Sequence, residues 1–144
     1  MNAMEISLSG LNVEWQRLQV ISQNIANLGT TRTANGAPYT PKRLVSGPVE
    51  NFERVLKHQV QNDVRNPKSV MVYDIATVNS AARRVYDPAH PHADAGGYVS
   101  YPAISQADEM TLMVKTSRAY EANLVAMAAA QQMYSSALQI GRQS

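Results

Sequence analysis

Residues 105–141 read SQADEMTLMVKTSRAYEANLVAMAAAQQMYSSALQIG, and the fold is inferred first from this segment. No glycine or proline interrupts it before Gly141, so a helix can run through its whole length. Ser105 and Asp108 have the spacing of a helix N-terminal capping box, in which the first side chain accepts a hydrogen bond from the backbone three residues later. The stretch predicts one long C-terminal helix over residues 105–144.

Apolar side chains recur along this helix on two faces. Counting in sevens gives a coiled-coil-like seam with two polar interruptions, formed by Met110, Ser117, Leu124, Gln131 and Leu138 together with Met113, Tyr120, Met127 and Tyr134. A second stripe includes small residues that would let another helix approach closely: Leu112, Ala119, Ala126, Met133, Ala137 and Ile140. Two apolar faces predict two partners, so we expect self-association or docking. The alternative is that the middle of the chain folds over the second face and completes a monomeric core.

Residues 1–28 predict a second long helix. Asn2 and Glu5 have capping-box spacing, and Gly29 stands where a left-handed C-terminal cap would end the helix, which gives about 25 residues and roughly 37 Å. Its apolar residues recur at helical spacing and form one continuous stripe: Met4, Leu8, Leu11, Trp15, Leu18, Ile21 or Ile25, and Leu28. We expect the two helices to pair as an antiparallel hairpin that buries one stripe of each.

The middle of the chain predicts a small β-rich unit. Residues 29–43 are rich in Thr, Gly and Pro and should form an extended linker arm, and residues 44–104 should form the β-rich insert. Within the insert we expect strands, bounded by Pro and Gly turns, at 44–49, 70–78, 84–86 and 97–101. Residues 52–60 are ambiguous and could form a helical turn. The predicted fold class is α+β, with long N- and C-terminal helices in a coiled-coil-like layer and the insert between them.

Length and composition exclude several classes of protein. The chain has 144 residues and a mass of 15.8 kDa, which is too short for two independent cores. Its net charge of +2 is far below the basic surplus of a nucleic-acid binder, so we expect no nucleic-acid partner. The chain has no cysteine, which removes disulfides, thiol catalysis and thiolate metal sites. Residues 1–10 lack a basic start and a continuous apolar run, so we expect no cleaved signal peptide.

Strings at both ends of the chain resemble those of a known family. Residues 9–11, 17–18, 20–27 and 30–31 are similar to the N-terminal signature of flagellar rod and hook proteins. Residues 117–123 and 137–142 are similar to the C-terminal signature of that family. Two further strings, at 31–39 and 85–102, resemble those of the proximal-rod members of the family. The second string contains the segment Asp-Pro-Ala-His-Pro at 87–91.

The resemblance implies a structural subunit without enzymatic activity. Members of this family leave the cytoplasm through the flagellar type III export apparatus without a cleaved signal. They polymerise into the rod that crosses the periplasm and transmits torque for motility. Their terminal helices form its inner layer. The implied partners are other copies of the chain, other rod proteins, the rod-base adaptor and inner-membrane ring, and the export apparatus.

The candidate functional residues are those expected to pack between subunits. Asn24 and Asn27 have two interpretations, as amides that end the helix or as a lateral ladder between subunits, and both can hold. Arg118 and Glu121 could pair along the helix, or could specify register if they are buried between subunits. The complete predicted interface comprises Leu11, Trp15, Leu18, Ile21, Asn24, Ile25, Asn27, Met113, Arg118, Tyr120, Glu121, Asn123, Leu124, Met127, Tyr134, Leu138 and Ile140.

Two other functions remain open at this point. Asp87, His90, His92 and Asp94 carry groups that are ordinary zinc ligands, so the chain could be a periplasmic cell-wall hydrolase with a metal in this loop. The spacing is poor for a metal, and the same residues are good turn formers. A helical export chaperone is the third possibility, although the insert and the arm would be superfluous for it. We expect no catalytic residue, cofactor, metal or small-molecule substrate.

Overall fold

The computed structural model describes residues 3–49 and 69–142, and its fold is α+β, as predicted. The elements in order are helix α1 (Ala3–Ala26), strands β1 (Lys42–Pro48), β2 (Val70–Thr77), β3 (Arg83–Tyr86) and β4 (Tyr98–Tyr101), and helix α2 (Gln106–Arg142). In the described part of the chain, neither helix has the length and hydropathy needed to cross a membrane. The division of the chain at 28, 43 and 104 stays a prediction.

The ends of the helices follow from a few polar side chains. Ser105 precedes α2, and its hydroxyl accepts a hydrogen bond from the backbone N–H of Asp108 at 3.3 Å, as the capping spacing predicts. The predicted cap at Gly29 is wrong, because only Gly36 and Gly97 have positive φ among the described glycines. The Asn27 side chain instead donates to the Gln23 carbonyl at 2.8 Å and satisfies the end of α1. The predicted cap at Asn2 lies outside the described residues.

The arm between α1 and β1 is not extended throughout, which corrects the prediction. It turns back on itself at Gly36, whose φ is +77°, and the Thr33 N–H donates to the Ala37 carbonyl at 2.8 Å. The Tyr39 N–H then donates to the Thr30 carbonyl at 3.1 Å. An Asn-Gly pair at 35–36 is a strong turn signal, and it outweighs the tendency of the flanking prolines toward extended backbone.

Two antiparallel hairpins form the β insert. Strands β1 and β2 pair from Lys42 opposite Thr77 to Pro48 opposite Val70, with a bulge between Val45 and Ser46. Strands β3 and β4 form a separate two-stranded sheet. All four strands lie close to the predicted ranges, whereas the ambiguous stretch 52–60 lies outside the described residues.

The first hairpin packs on α1 and forms a small core with it. Val13 and Val20 of α1 are buried against Leu44 of β1, and Val70 and Val72 of β2 pack around them. The alternating side chains of β2 point away from this core and stay exposed. In the described residues the strands pack on α1 and not along α2. The described residues of the insert therefore do not cover the second face of the C-terminal helix, as the alternative had required.

Candidate subunit interface

Helices α1 and α2 meet along a seam that differs by one residue from the predicted one. The α2 positions turned toward α1 recur every seven residues, and they are Glu109, Thr116, Asn123 and Ala130. The predicted seam positions Met110, Leu124 and Leu138 are instead exposed. One series of the predicted seam is therefore displaced by one residue toward smaller and polar side chains, whereas Met113, Tyr120 and Met127 of the other series are half-buried.

Gly10 is the point of closest approach. A Cβ atom at this position would lie 2.9 Å from the side-chain oxygen and nitrogen of Asn123, and real Cβ contacts are essentially never below 3.0 Å. Any larger residue at position 10 must therefore displace Asn123 or separate the helices. The predicted interface residue Asn123 thus packs against the chain's own α1.

A buried polar cluster joins four segments at the other end of the seam. The Asn24 side chain donates to the Lys42 carbonyl at 2.9 Å and accepts from the Lys42 N–H at 3.0 Å, so its amide satisfies both backbone groups of one residue. It also donates to the Glu109 carboxylate at 3.2 Å and accepts from the Tyr39 hydroxyl at 3.1 Å. The cluster can form only when α1, the arm, β1 and α2 are all in place.

Glu109 is 1% exposed, yet its charge is fully compensated. Its second carboxylate oxygen pairs with the guanidinium of Arg43, which is itself partly exposed. Burial, followed by the nearby negative charge of Glu109, raises the pKa of Tyr39 above its usual value of 10.0. In the described part of the chain, no buried side-chain nitrogen or oxygen lacks a hydrogen-bond partner.

The register of the two helices leaves one end of α2 beyond α1. The pairs Asn24–Glu109 and Gly10–Asn123 both have residue numbers that add to 133, so Ala3 of α1 is level with Ala130 of α2. Ala130 is buried, and every residue from 131 to 141 is exposed. We call residues 131–141 the projecting segment. At 1.5 Å per residue it extends for roughly 15 Å.

The predicted interface residues divide into three groups by burial. Leu11, Ile21 and Asn24 are buried inside the single chain. The half-buried group is Leu18, Ile25, Asn27, Met113, Tyr120, Asn123 and Met127. The exposed group is Trp15, Arg118, Glu121, Leu124, Tyr134, Leu138 and Ile140. The contacts of all three groups with other subunits stay a prediction.

Two of the predicted polar pairs have definite outcomes. Asn27 ends the helix through its bond to Gln23, and its side-chain oxygen accepts from the Thr30 hydroxyl at 3.0 Å, so its local role is confirmed. Arg118 and Glu121 are both exposed, and within the described residues they form no ion pair with each other.

The outer face of α1 presents large apolar side chains to solvent. Met4, Leu8 and Trp15 lie within roughly 40° of one another around the helix, and Trp15 is 55% exposed. Leu11 and Ile21 of the predicted stripe are buried, whereas these three residues are exposed. We call Met4, Leu8 and Trp15 the α1 outer face.

The loop with the proposed zinc ligands is held by its own hydrogen bonds. One Asp94 oxygen accepts from the backbone N–H groups of Gly96 and Tyr98, both at 2.9 Å, and the other pairs with Arg84. The bond from Tyr98 is the main cause that lowers the pKa of Asp94 below 3.8. His90 Nδ1 accepts from the His92 N–H at 3.1 Å. Among the described residues, no group of three or more His, Asp or Glu side chains is arranged to hold a metal ion.

Sequence comparison places this architecture in a family. Residues 95–140 match the model described as "Flagellar basal body rod FlgEFG protein C-terminal". The flagellar basal-body rod protein FlgC of Bacillus subtilis (strain 168) is 36% identical, over 98% of this chain and 97% of that protein. The chain belongs to the FlgC family of flagellar basal-body rod proteins. FlgC proteins of Borreliella burgdorferi and Aquifex aeolicus are 34% and 32% identical, over 96% and 92% of this chain and 95% and 90% of their own lengths.

Membership of the FlgC family confirms the predicted resemblance and gives the fold its context. The chain is a structural component of the flagellar basal body, and the resemblance was drawn from the strings at both ends of the chain and in its middle. The matching C-terminal model spans β4 and nearly all of α2, including residues 131–140 of the projecting segment.

Sequence reasoning missed the residues that hold the helices and the insert together. Glu109 lies in the first turn of α2, where an acidic residue is normally explained by the helix dipole, and Arg43 follows a lysine in what reads as a solvated pair. Neither residue carries a pattern that reveals its partner 66 positions away. Gly10 gave a usable signal, because a glycine inside a strongly predicted helix often marks close packing.

Proposed function

We propose that the chain is a subunit of the proximal rod that works by polymerisation, with other copies of itself and other rod proteins as its partners. It carries no catalytic activity. It leaves the cytoplasm through the flagellar export apparatus without a cleaved signal, joins the rod base next to the adaptor and inner-membrane ring, and transmits torque across the periplasm.

The observation that carries this proposal is the exposed apolar surface along α2. Leu124, Tyr134 and Leu138 are 46–62% exposed and lie within roughly 80° of one another around α2, which is free of charged residues from 122 to 141. A monomer rarely leaves such a continuous apolar surface in water. The surface is consistent with a subunit whose fold is completed by its neighbours.

Replacing Leu124 with aspartate tests the proposal directly. Because Leu124 is exposed in the single chain, the charge should leave the fold and export intact. Placed between subunits, the same carboxylate is buried without a partner, which should prevent rod assembly and motility. The measurement is swimming in a strain carrying only this variant, together with the protein content of isolated basal bodies.

Leu124→Met is the matched control, because it keeps an apolar side chain of similar volume. We expect the methionine variant to swim and to appear in basal bodies. Normal swimming and normal basal bodies with Leu124→Asp would contradict the proposal that this surface packs between subunits.

A further inference from the structure

Asn35 and Gly36 lie at the exposed tip of the arm between α1 and β1. Residues 34–37 are all exposed, and Gly36 has a φ of +77°. The turn is held by its own backbone, because the Thr33 N–H donates to the Ala37 carbonyl at 2.8 Å and the Gly36 N–H donates to the Thr33 carbonyl at 2.9 Å. Asn35 is therefore open to water and is followed by a residue without a side chain.

An asparagine in this setting can lose its side-chain amide by its own chemistry. The backbone nitrogen of Gly36, after giving its proton to the solvent, attacks the side-chain carbonyl carbon of Asn35 and forms a five-membered ring. The bond between that carbon and the amide nitrogen breaks, and ammonia leaves with a proton from water. Water then opens the succinimide at either carbonyl, which gives aspartate or its β-linked isomer. Such a ring closure is favoured because the reacting atoms are already held together in one chain.

The surroundings of Gly36 leave room for the ring. Apart from its chain neighbours, no heavy atom in the described part of the chain lies within 4 Å of where a Cβ atom at this position would be. Glycine also has no side chain to hinder its own nitrogen. Ring closure requires the Gly36 N–H to leave the Thr33 carbonyl, and local opening of an exposed turn costs little free energy.

The other described asparagines are less suited to this reaction. Three lie within helices, namely Asn12, Asn24 and Asn123. In a helix the next N–H is engaged in the backbone ladder and cannot reach the side chain. The side chain of Asn27 is bound to the Gln23 carbonyl at 2.8 Å. Asn79 is exposed outside the strands, like Asn35, but the residue after it is a serine, so a comparison of the two isolates the effect of the glycine.

We propose that Asn35 is a site of spontaneous deamidation, at which the folded chain changes its charge and its backbone without an enzyme. Aspartate at this position lowers the formal net charge of +2 by one. The β-linked isomer adds a carbon atom to the backbone of the turn, which disturbs the bond from the Tyr39 N–H to the Thr30 carbonyl at the base of the arm. The site is independent of how the chain polymerises.

Ageing of the purified full chain tests the site. The natural chain is incubated in mildly alkaline buffer, digested at intervals under acidic conditions that stop the reaction, and examined by mass spectrometry of each asparagine-containing peptide. The β-linked product is counted separately by methyl transfer from S-adenosylmethionine with a purified protein-isoaspartate methyltransferase. We expect conversion at Asn35 to precede conversion at Asn79, with release of an equal amount of ammonia.

Asn35→Gln is the matched control, because it keeps the amide but would need a larger ring that forms more slowly. We expect this variant to keep the circular-dichroism spectrum of the natural chain and to release no early ammonia. The comparison of Asn35 with Asn79 needs no variant, so it holds even if the glutamine chain fails to fold.

Two results would overturn the proposal. One is conversion that begins at Asn79 or at a helical asparagine. The other is a folded chain in which Asn35 stays intact after the same chain, unfolded in urea, has lost the amide at that position.

Discussion

At the scale of single residues, the molecule depends on polar side chains placed where apolar ones would be expected. Asn24 is fully buried and bonds simultaneously to the Lys42 backbone, Glu109 and Tyr39. Such a cluster contributes to stability only when every member is satisfied, because each buried polar group without a partner carries a desolvation cost. Its members therefore act as a unit.

Asn24→Ala should lower the free energy of unfolding by about 3 kcal/mol. The substitution leaves both backbone groups of Lys42 and one carboxylate oxygen of Glu109 without the hydrogen bonds that Asn24 makes to them. Urea unfolding followed by circular dichroism measures the change. Asn12→Ala is the control, because Asn12 is exposed on the same helix and its loss should change stability by less than about 0.5 kcal/mol. Equal effects of the two substitutions would contradict the role of the cluster.

The raised pKa of Tyr39 predicts how the stability of the fold depends on pH in the alkaline range. Because the folded-state pKa lies above the unfolded value, the neutral hydroxyl contributes stability that is fully present below pH 10.0 and is lost as the pH rises through the folded pKa. Stability measured from pH 9 to above pH 10 should therefore fall more steeply in the natural chain than in Tyr39→Phe. Identical slopes for the two proteins would show that Tyr39 ionisation is not linked to folding.

At the scale of elements, two contacts fix how the helices and the hairpin are arranged. Gly10 lets α2 approach α1, and Leu44 attaches the first hairpin to α1. Each contact can be tested by substitution, with Val45 as a control for Leu44 and Asn123 as the partner of Gly10.

Leu44→Ala should lower the free energy of unfolding by about 2–4 kcal/mol, because it removes the centre of the core between α1 and β1. Val45→Ala changes the next residue of the same strand, which points to the exposed face, and should cost less than about 0.5 kcal/mol. Thermal unfolding of the two variants compares them. A larger loss for Val45→Ala would mean that the hairpin packs through its other face.

Gly10→Ala and Asn123→Ala should not be additive. Alanine at position 10 collides with the Asn123 side chain, and truncating Asn123 removes the collision. A double-mutant cycle should therefore give a favourable coupling of at least about 0.5 kcal/mol between the two substitutions. Strict additivity would show that the helices already leave room for a Cβ atom.

The elements were largely predictable from sequence, whereas their contacts were not. Long uninterrupted helical patterns and β-branched runs predicted α1, α2 and all four strands, because these signals are local. One of the two heptad series of the seam was placed one residue away, since heptad counting follows the largest apolar residues, and in this chain several of those stay exposed. The cluster at Asn24 joins positions 85 residues apart, and no local pattern specifies such a contact.

At the scale of the whole molecule, the single chain forms a helix pair that is buried at one end and exposed at the other. The polar cluster at Asn24 closes the end near the insert, while residues 131–141 extend past α1. A fold with this asymmetry has different surfaces for its neighbours on each side. It therefore suits a polymer better than a closed dimer.

The central claim is that neighbouring subunits cover the apolar surface of α2. An electron cryo-microscopy reconstruction of isolated basal bodies, at a resolution that shows side chains, tests it most directly. We expect Met133, Tyr134 and Leu138 to be covered by an adjacent subunit in the assembled rod. A rod in which these side chains remain as exposed as in the single chain, at 66%, 62% and 53%, would contradict the account.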